Sequence, residues 1–282
     1  MYLFRCRFPE KSREEVSWYM ETTPLGLIKK AIWERLARIN MLRRPSLKYC
    51  IDNTLLPSLL TGTPSNVLRE MLGLPPSEHQ AQLNQDIFAL LMNKFRPGFF
   101  LEIGANDGFT LSNTAYLEKE FGWKGILVEA NPKYRVSLSA REGAVIVNKA
   151  VSSERGAAVF IDAGLYGGLE SSLDESHRSH TRDAASIVVE CMGLQEILDT
   201  TAAPVRIDFI SIDVEGGEVP IIEQMVSVNR RFGCGCVEHN GRGPDYAHMV
   251  RLLVNAGYRV VWEDQTAHDL FFVDSKLTPH QT

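Results

Sequence analysis

The residues able to do chemistry in this sequence collect at one kind of position, the end of an apolar run. FFLEI (99–103) runs into Glu102-Ile103-Gly104-Ala105-Asn106-Asp107-Gly108, GILVEA (125–130) ends around Glu129, and AVIVN (144–148) ends in Asn148. VRIDFISID (205–213) leads into Asp213-Val214-Glu215-Gly216-Gly217-Glu218, and GCGCVEH (233–239) into Glu238-His239-Asn240. Glycines at 104 and 108 allow a close backbone approach to a ligand and offer it amide donors. Glu129 follows Gly108 by 21 residues, at the end of the next run. An acid there can accept hydrogen bonds from both hydroxyls of a ribose. The turn is itself acidic at Glu102 and Asp107, which makes a poor cradle for a pyrophosphate and suits a nucleoside bearing an ammonium or sulfonium. S-adenosylmethionine fits that description. The turn is neither the G-x-G-x-x-G of a dinucleotide fold nor a P-loop with its Lys-Ser/Thr.

The elements that must position these groups read as an α/β alternation. Apolar runs at 99–103, 125–130, 144–148, 205–213, 233–239, 258–263 and 269–274 are separated by helical patterns near 111–121, 132–141, 193–199, 218–225 and 245–256. Two shorter β-like runs, 157–162 and 186–190, fall in the middle. Near-continuous apolar strands between helices imply a parallel sheet covered on both faces. The last two runs are joined by only five residues, too few for a crossover helix, so they pair antiparallel. In an open sheet of this kind ligands bind beyond the carboxyl ends of the strands, where the polar groups collect. Ser152, Ser171 and Ser172 fall in the loops after the third strand. The Gly-rich stretch 164–183, with His177, His180 and Arg182, reads either as a lid or as an ordinary surface loop.

Before residue 81 the pattern differs. Thr23-Pro24 opens a helical stripe of Leu25, Ile28, Ile32, Leu36 and Ile39, whose other faces carry Lys29, Lys30, Arg35, Arg38, Arg43 and Arg44. One reading is a helix packed on its own domain with a solvated basic face; the other is contact of residues 24–44 with an anionic membrane or a partner. Residues 45–80, rich in Pro, Ser and Thr with one short helical pattern from Asn66 to Leu72, read as a connector. The expected organisation is a helical, basic extension and connector over 1–80 and an α/β domain over 81–282. Such an extension is also a common route to a homo-oligomer. The first 50 residues hold eleven Lys/Arg against five Asp/Glu, and the remainder nineteen against thirty. An acidic body lacks the basic footprint that nucleic-acid binding needs. The 282 residues, 44% hydrophobic and 23% charged, suffice for a sizeable core, with no run of the roughly 18–20 apolar residues that crosses a membrane. Five cysteines without framework spacing suit a reducing, cytoplasmic setting, and Cys234 and Cys236 read as buried small hydrophobes.

LEIGANDGFTLSNTAYLEKEFGWKGILVEANP (101–132), preceded by QLNQDIFAL and followed by GLQEIL and DFISIDVEGGE, resembles the FkbM family of S-adenosylmethionine-dependent methyltransferases. The likeness covers about residues 80–274. It implies a class I methyltransferase fold, a Rossmann-like αβα sandwich with a seven-stranded, mainly parallel sheet whose last strand is antiparallel. It also implies methylation of hydroxyl groups on sugars, glycans or polyketides. Glu102, Gly104, Asn106, Asp107 and Gly108 match the family's first motif and Glu129 its ribose-binding acid; Asn148 joins this cofactor-binding set from the next strand end. Asp213, Glu215 and Gly216 match the DVEG segment beside the reaction centre.

Methyl transfer from a sulfonium is an in-line displacement, so alignment is most of the catalysis. An alcohol must also lose its proton, which calls for a general base or a metal. Asp213, Glu215, Glu218, Glu238 and His239 are the candidates, with Asp213 and His239 foremost. His239 can act near neutral pH without a large shift, or it can simply cap its strand. Asp213, Glu238 and His239 form the set expected if a divalent cation binds. The activity expected is O-methylation of a sugar hydroxyl in a glycan or glycolipid, which the basic helix favours by suiting a lipid-linked or polymeric anionic substrate. The alternatives are O-methylation of a polyketide or other small-molecule alcohol, and a non-catalytic binding or trafficking module. The last would show an eroded donor site, whereas Gly104, Asp107, Gly108 and Glu129 are intact.

Overall fold

The computed structural model describes residue 60 and residues 62–173, 178–239, 243–263, 266 and 268–277. The basic helix expected over residues 22–44 lies outside the described residues. Two helices, α1 (Ser65–Leu72) and α2 (Gln85–Met92), precede the first strand, β1 (Phe99–Ile103). Next come α3 (Ala115–Phe121), β2 (Lys124–Val128), a 3-10 turn over Pro132–Tyr134 leading into α4 (Arg135–Leu138), and β3 (Ala144–Val147). A middle section holds β4 (Ala150–Val151), β5 (Gly156–Asp162), β6 (Gly168–Leu169), α5 (Arg178–Thr181) and β7 (Ala185–Met192). The chain then runs through α6 (Leu194–Thr200), β8 (Arg206–Ile212), α7 (Glu218–Ser227), β9 (Arg231–Glu238), α8 (Pro244–Asn255), β10 (Tyr258–Val261) and β11 (Asp269–Asp274).

Seven strands make one sheet in the order β3-β2-β1-β8-β9-β11-β10. The first five are parallel, and β11 runs antiparallel to both β9 and β10, as the short link between the last two runs demands. This is the class I methyltransferase arrangement. Strand order reverses between β1 and β8, and a crevice at such a switch point is where open α/β sheets bind ligands.

Alternation along β1 divides the core. Phe100 joins Phe88, Phe209, Cys234, Cys236 and Phe271 on one face, while Leu101 and Ile103 join Ile126, Ile210, Ile221 and Ile222 on the other. Both faces are covered, which is why the strands are apolar nearly without interruption. Cys234 and Cys236 are buried as small core residues. Helix α2 is buried along its whole length, so it is apolar on most sides rather than striped.

The core also reaches back past residue 81, because Leu60 and Leu68 belong to the cluster of Phe88 and Phe209. Arg69, 2% exposed, pairs with the fully buried Asp86, and its guanidinium lies 3.9 Å from the centroid of the Tyr116 ring. Removing either partner would strand a charge in the interior. The 62–80 segment is therefore part of the domain's packing rather than a free connector.

The two middle β-like runs do not enter the main sheet. They form β5 and β7, an antiparallel pair in a second sheet of order β4-β7-β5-β6. Val159 and Val188 are exposed while Phe160 and Val189 are buried, the period-two pattern of a sheet with one face on the protein. The expected loop 164–183 is partly ordered into a 3-10 turn at Gly164–Tyr166, β6 and α5, with residues 174–177 outside the described residues. Among the described residues no helix is long and apolar enough to cross a membrane.

Candidate active site

A cavity of about 350 Å³ opens beyond the tips of β1, β2, β8 and β9, within the usual size of small-molecule sites. The turn after β1 forms one wall. Gly104 sits at φ +86°, and a Cβ there would lie 1.6 Å from the Asp213 carbonyl oxygen. Gly108 sits at φ +83°, and its Cβ would lie 2.9 Å from Leu138 Cδ2. At both positions the space a side chain would take is filled by the chain's own Asp213 and Leu138, while Gly104 still lines the cavity and Gly108 does not. Nor do the first amides of the turn point outward, since the Gly104 and Ala105 N–H groups both donate to Val128 O.

Glu102 is buried and holds the rest of the turn. It accepts hydrogen bonds from Asn113 N at 2.8 Å, Ser112 Oγ at 3.0 Å and Thr114 Oγ1 at 2.5 Å. Burial pushes its carboxyl upward, opposed by Arg141 and these donors. Arg141, itself buried, donates to the Gly108 carbonyl, to Thr114 Oγ1 at 3.0 Å and to Glu118 at 2.8 Å. No motif marks Arg141 in the sequence. Asp107 accepts from Phe109 N, Thr110 N and Thr110 Oγ1. Burial acts to raise its carboxyl, but those bonds outweigh it and leave it below the ordinary range. Glu102, Gly104 and Asn106 line the cavity; Asp107 and Gly108 shape the turn without lining it.

Glu129, 7% exposed, ends β2 and lines the cavity. Its Oε2 accepts the Asn106 N–H at 2.8 Å and its Oε1 the Asn131 N–H at 2.7 Å, leaving each oxygen a second lone pair. Burial pushes its pKa up to about 7, against the pull of those two amides. Asn148 does not line the cavity; its Nδ2 donates to the Glu129 carbonyl at 2.7 Å and secures the strand tip.

The opposite wall is acidic. Asp213 follows β8, Glu238 ends β9, and Asp269 begins β11 in register with Glu238. Carboxylate oxygens of Asp213 and Glu238 approach within 4.8 Å, and burial first, then neighbouring carboxylates, raises the proton affinity of both, the interaction with Asp213 opposing the shift at Glu238. Asp269 is pushed up to about 6 by burial, opposed by a 2.7 Å hydrogen bond from Gln85 Nε2 on α2. Gln85 and Asp269 both line the cavity, and neither was a candidate from the sequence. Glu215 is a lining residue held at φ +60°. Glu218 turns back on its own helix start, accepting Val214 N and Gly216 N.

His239 is not brought into this group. Its backbone N–H donates to the His268 carbonyl, its ring packs edge-on against Tyr246 with centroids 5.0 Å apart, and it does not line the cavity. Its position just past the end of β9 turns it away, and Asn240 lies outside the described residues. The set expected for a cation is changed accordingly. The carboxylates of Asp213, Glu215 and Glu238 can bring oxygens within 4.8 Å of one another, without His239. In the second sheet and its turns, Phe160, Tyr166, Leu169 and Ser172 line the cavity, and Ser152 and Ser171 do not.

The family model for the methyltransferase FkbM domain matches residues 102–260. Among solved structures, the methyltransferase FkbM of Methylobacillus flagellatus KT is 10% identical with a TM-score of 0.38, covering 77% of this chain and 57% of that one. Precorrin-6y C5,15-methyltransferase of Geobacter metallireducens GS-15 is 13% identical with a TM-score of 0.39, covering 71% of this chain and 91% of that one. The magnesium protoporphyrin IX methyltransferase of Synechocystis PCC 6803, solved with bound S-adenosylmethionine, is 9% identical with a TM-score of 0.38, covering 79% and 96%. No curated protein matches the chain.

Proposed function

This chain belongs to the FkbM family of S-adenosylmethionine-dependent methyltransferases, and from that premise we propose that its acceptor is a hydroxyl group on a sugar of a glycan or glycolipid. The observation that carries the reading is the meeting on one cavity of Glu129, with a lone pair left on each oxygen, and the Asp213–Glu238 pair. These residues fit an adenosyl sulfonium. Glu129 can take the ribose hydroxyls, and the carboxylates of the far wall attract a cation, while the lining lysine, Lys149, is paired with Glu190.

Bound there, S-adenosylmethionine would supply a sulfonium methyl carbon for in-line attack by the acceptor oxygen, the C–S bond breaking as the C–O bond forms and S-adenosylhomocysteine leaving. Asp213 and Glu238 receive the proton that the hydroxyl gives up. Their raised proton affinity makes the pair a better base at neutral pH than an ordinary carboxylate. Gln85 keeps Asp269 oriented beside Glu238.

A second acceptor reading, a polyketide or other small-molecule alcohol, is favoured by the exposed Leu111 and Leu165 on the same cavity. Incubating the protein with labelled donor and pools of glycans, glycolipids and polyketide alcohols, then locating the label by mass, tests both. Label on a sugar oxygen supports the leading reading and label on a polyketide oxygen the second. Label on nitrogen or carbon, or no donor binding by calorimetry, overturns both.

A further inference from the structure

Nine large hydrophobic side chains are exposed among the described residues, and six of them are valines away from the cavity. The other three, Leu111, Leu165 and Tyr166, are 44%, 48% and 38% exposed and all line the cavity already described, one face of the Tyr166 ring being stacked on His180 with centroids 4.1 Å apart. Single exposed valines need no explanation, but larger apolar groups gathered at one opening do. They come from separate parts of the chain: Leu111 from the turn after β1, Leu165 and Tyr166 from the 3-10 turn between β5 and β6. Leu111 also sits at φ +56°, a region leucine enters only at a cost. The turn is fixed on either side of it, by the Arg141 hydrogen bond to the Gly108 carbonyl and by that of Ser112 to Glu102. Its outward position is therefore imposed by the surrounding structure.

The donor does not need this rim. Beside Glu129 the cavity has a buried apolar wall of Ala150, Val151 and Phe160, sufficient for a nucleoside base. We propose that Leu111, Leu165 and Tyr166 bind a hydrocarbon segment of the acceptor, so that the alcohol methylated is an amphiphile. Its hydroxyl end meets Asp213 and Glu238, and its alkyl portion lies along the rim. This inference rests on the methyltransferase reading of the same cavity.

The probe is the series of straight-chain 1-alkanols from butanol to octanol, titrated by calorimetry into protein loaded with S-adenosylhomocysteine. Burying a methylene is worth about 0.8 kcal/mol, so each added carbon should tighten binding about fourfold. In the Leu111→Asn, Leu165→Gln variant that increment should fall below about 1.5-fold per carbon, because the apolar contacts are gone. Asparagine tolerates the left-handed backbone at 111, and both sites are exposed, so the variant keeps its fold. Its affinity for S-adenosylhomocysteine should stay within about twofold of the parent. A flat chain-length series in the parent overturns the proposal, as does an unchanged series in the variant. Loss of S-adenosylhomocysteine binding in the variant also overturns it, by assigning the rim to the donor. If the parent fails to bind S-adenosylhomocysteine at all, the methyltransferase reading falls with it; if it binds and the series is flat, only the amphiphile falls.

Discussion

The Glu129 carboxylate accepts the Asn106 backbone N–H at 2.8 Å, so the tip of β2 and the turn after β1 form one unit. Its other oxygen accepts the Asn131 N–H at 2.7 Å. The group that would grip a ribose is thus also the group that sets the shape of the turn facing it. A donor site built this way is preorganised, because the anion already has two fixed donors before any ligand arrives.

From this bond pattern, Glu129→Ala should weaken S-adenosylmethionine and S-adenosylhomocysteine binding about tenfold to hundredfold, the worth of one hydrogen bond to a charged group. Glu129→Gln should also fail to restore binding. One end of a glutamine amide is an NH2, which would face a backbone N–H with no acceptor to offer it. Calorimetry on the two variants checks this; parent affinity in Glu129→Ala removes the residue from the donor site.

Stability and donor binding should depend on pH in opposite senses. Glu129 is pushed to about 7 and Asp269 to about 6, so both hold protons more tightly folded than unfolded. The stability they contribute is present in full below the ordinary carboxylate range and is lost as pH rises through about 6 and 7. The Tm of the ligand-free protein should therefore fall by about 3 °C or more between pH 5 and 8. Donor affinity should rise over the same window, because ribose hydroxyls donate to the ionised form of Glu129. Scanning calorimetry with Glu129→Gln as control decides it; a Tm that climbs steadily across the window contradicts the assignment.

The base is expected in the Asp213–Glu238 pair and not at His239. Asp213→Asn and Glu238→Gln should each lower methyl transfer about 10²- to 10⁴-fold with donor affinity little changed. His239→Ala should stay within about threefold of the parent, since its ring packs on Tyr246 outside the cavity. Rates with labelled donor and the acceptor found by mass discriminate; a hundredfold loss in His239→Ala would return the role to histidine.

Much of this was legible in the chain because burial on both faces of a parallel sheet writes apolar runs, and the residues ending those runs must sit at one rim. Glu129 and Asp213 follow from that alone. Asp269 obeys the same geometry in mirror form. The start of an antiparallel strand lies at the same edge as the ends of its parallel neighbours, so DLFFVD announced an acid at the rim by its first residue. His239 was ambiguous because a residue past a strand end can turn either way, and its ring packs on Tyr246. The role of Gly104 was hidden for a similar reason. Glycine spacing shows that a side chain is forbidden, not whether ligand or protein fills the space. The second sheet was hard to read because 157–162 and 186–190 are short and half exposed, and nothing local says which sheet they join. Arg141 left no signal, since its acceptors on Gly108, Thr114 and Glu118 are contacts between segments distant in sequence.

Arg141 gives the last prediction. Its guanidinium serves four acceptors from the interior, on Gly108, Ser112, Thr114 and Glu118, and the buried Glu102 relies on it for opposing charge. Arg141→Met leaves Glu118 Oε2 and the Gly108 carbonyl without the arginine donor, although Glu118 Oε1 keeps the Gly143 N–H. Breaking a buried pair in this way costs about 3–5 kcal/mol, which should lower Tm by about 6 °C or more. Arg141→Lys keeps the charge but not the planar fork, and one ammonium cannot reach all four acceptors, so it should recover only part of the loss. Because the contacts lie on the turn after β1, both variants should also bind S-adenosylhomocysteine more weakly at 15 °C below their own Tm, where the global fold is intact. Loss of Tm with parent affinity at that temperature would make Arg141 a brace for the core alone, separate from the donor turn.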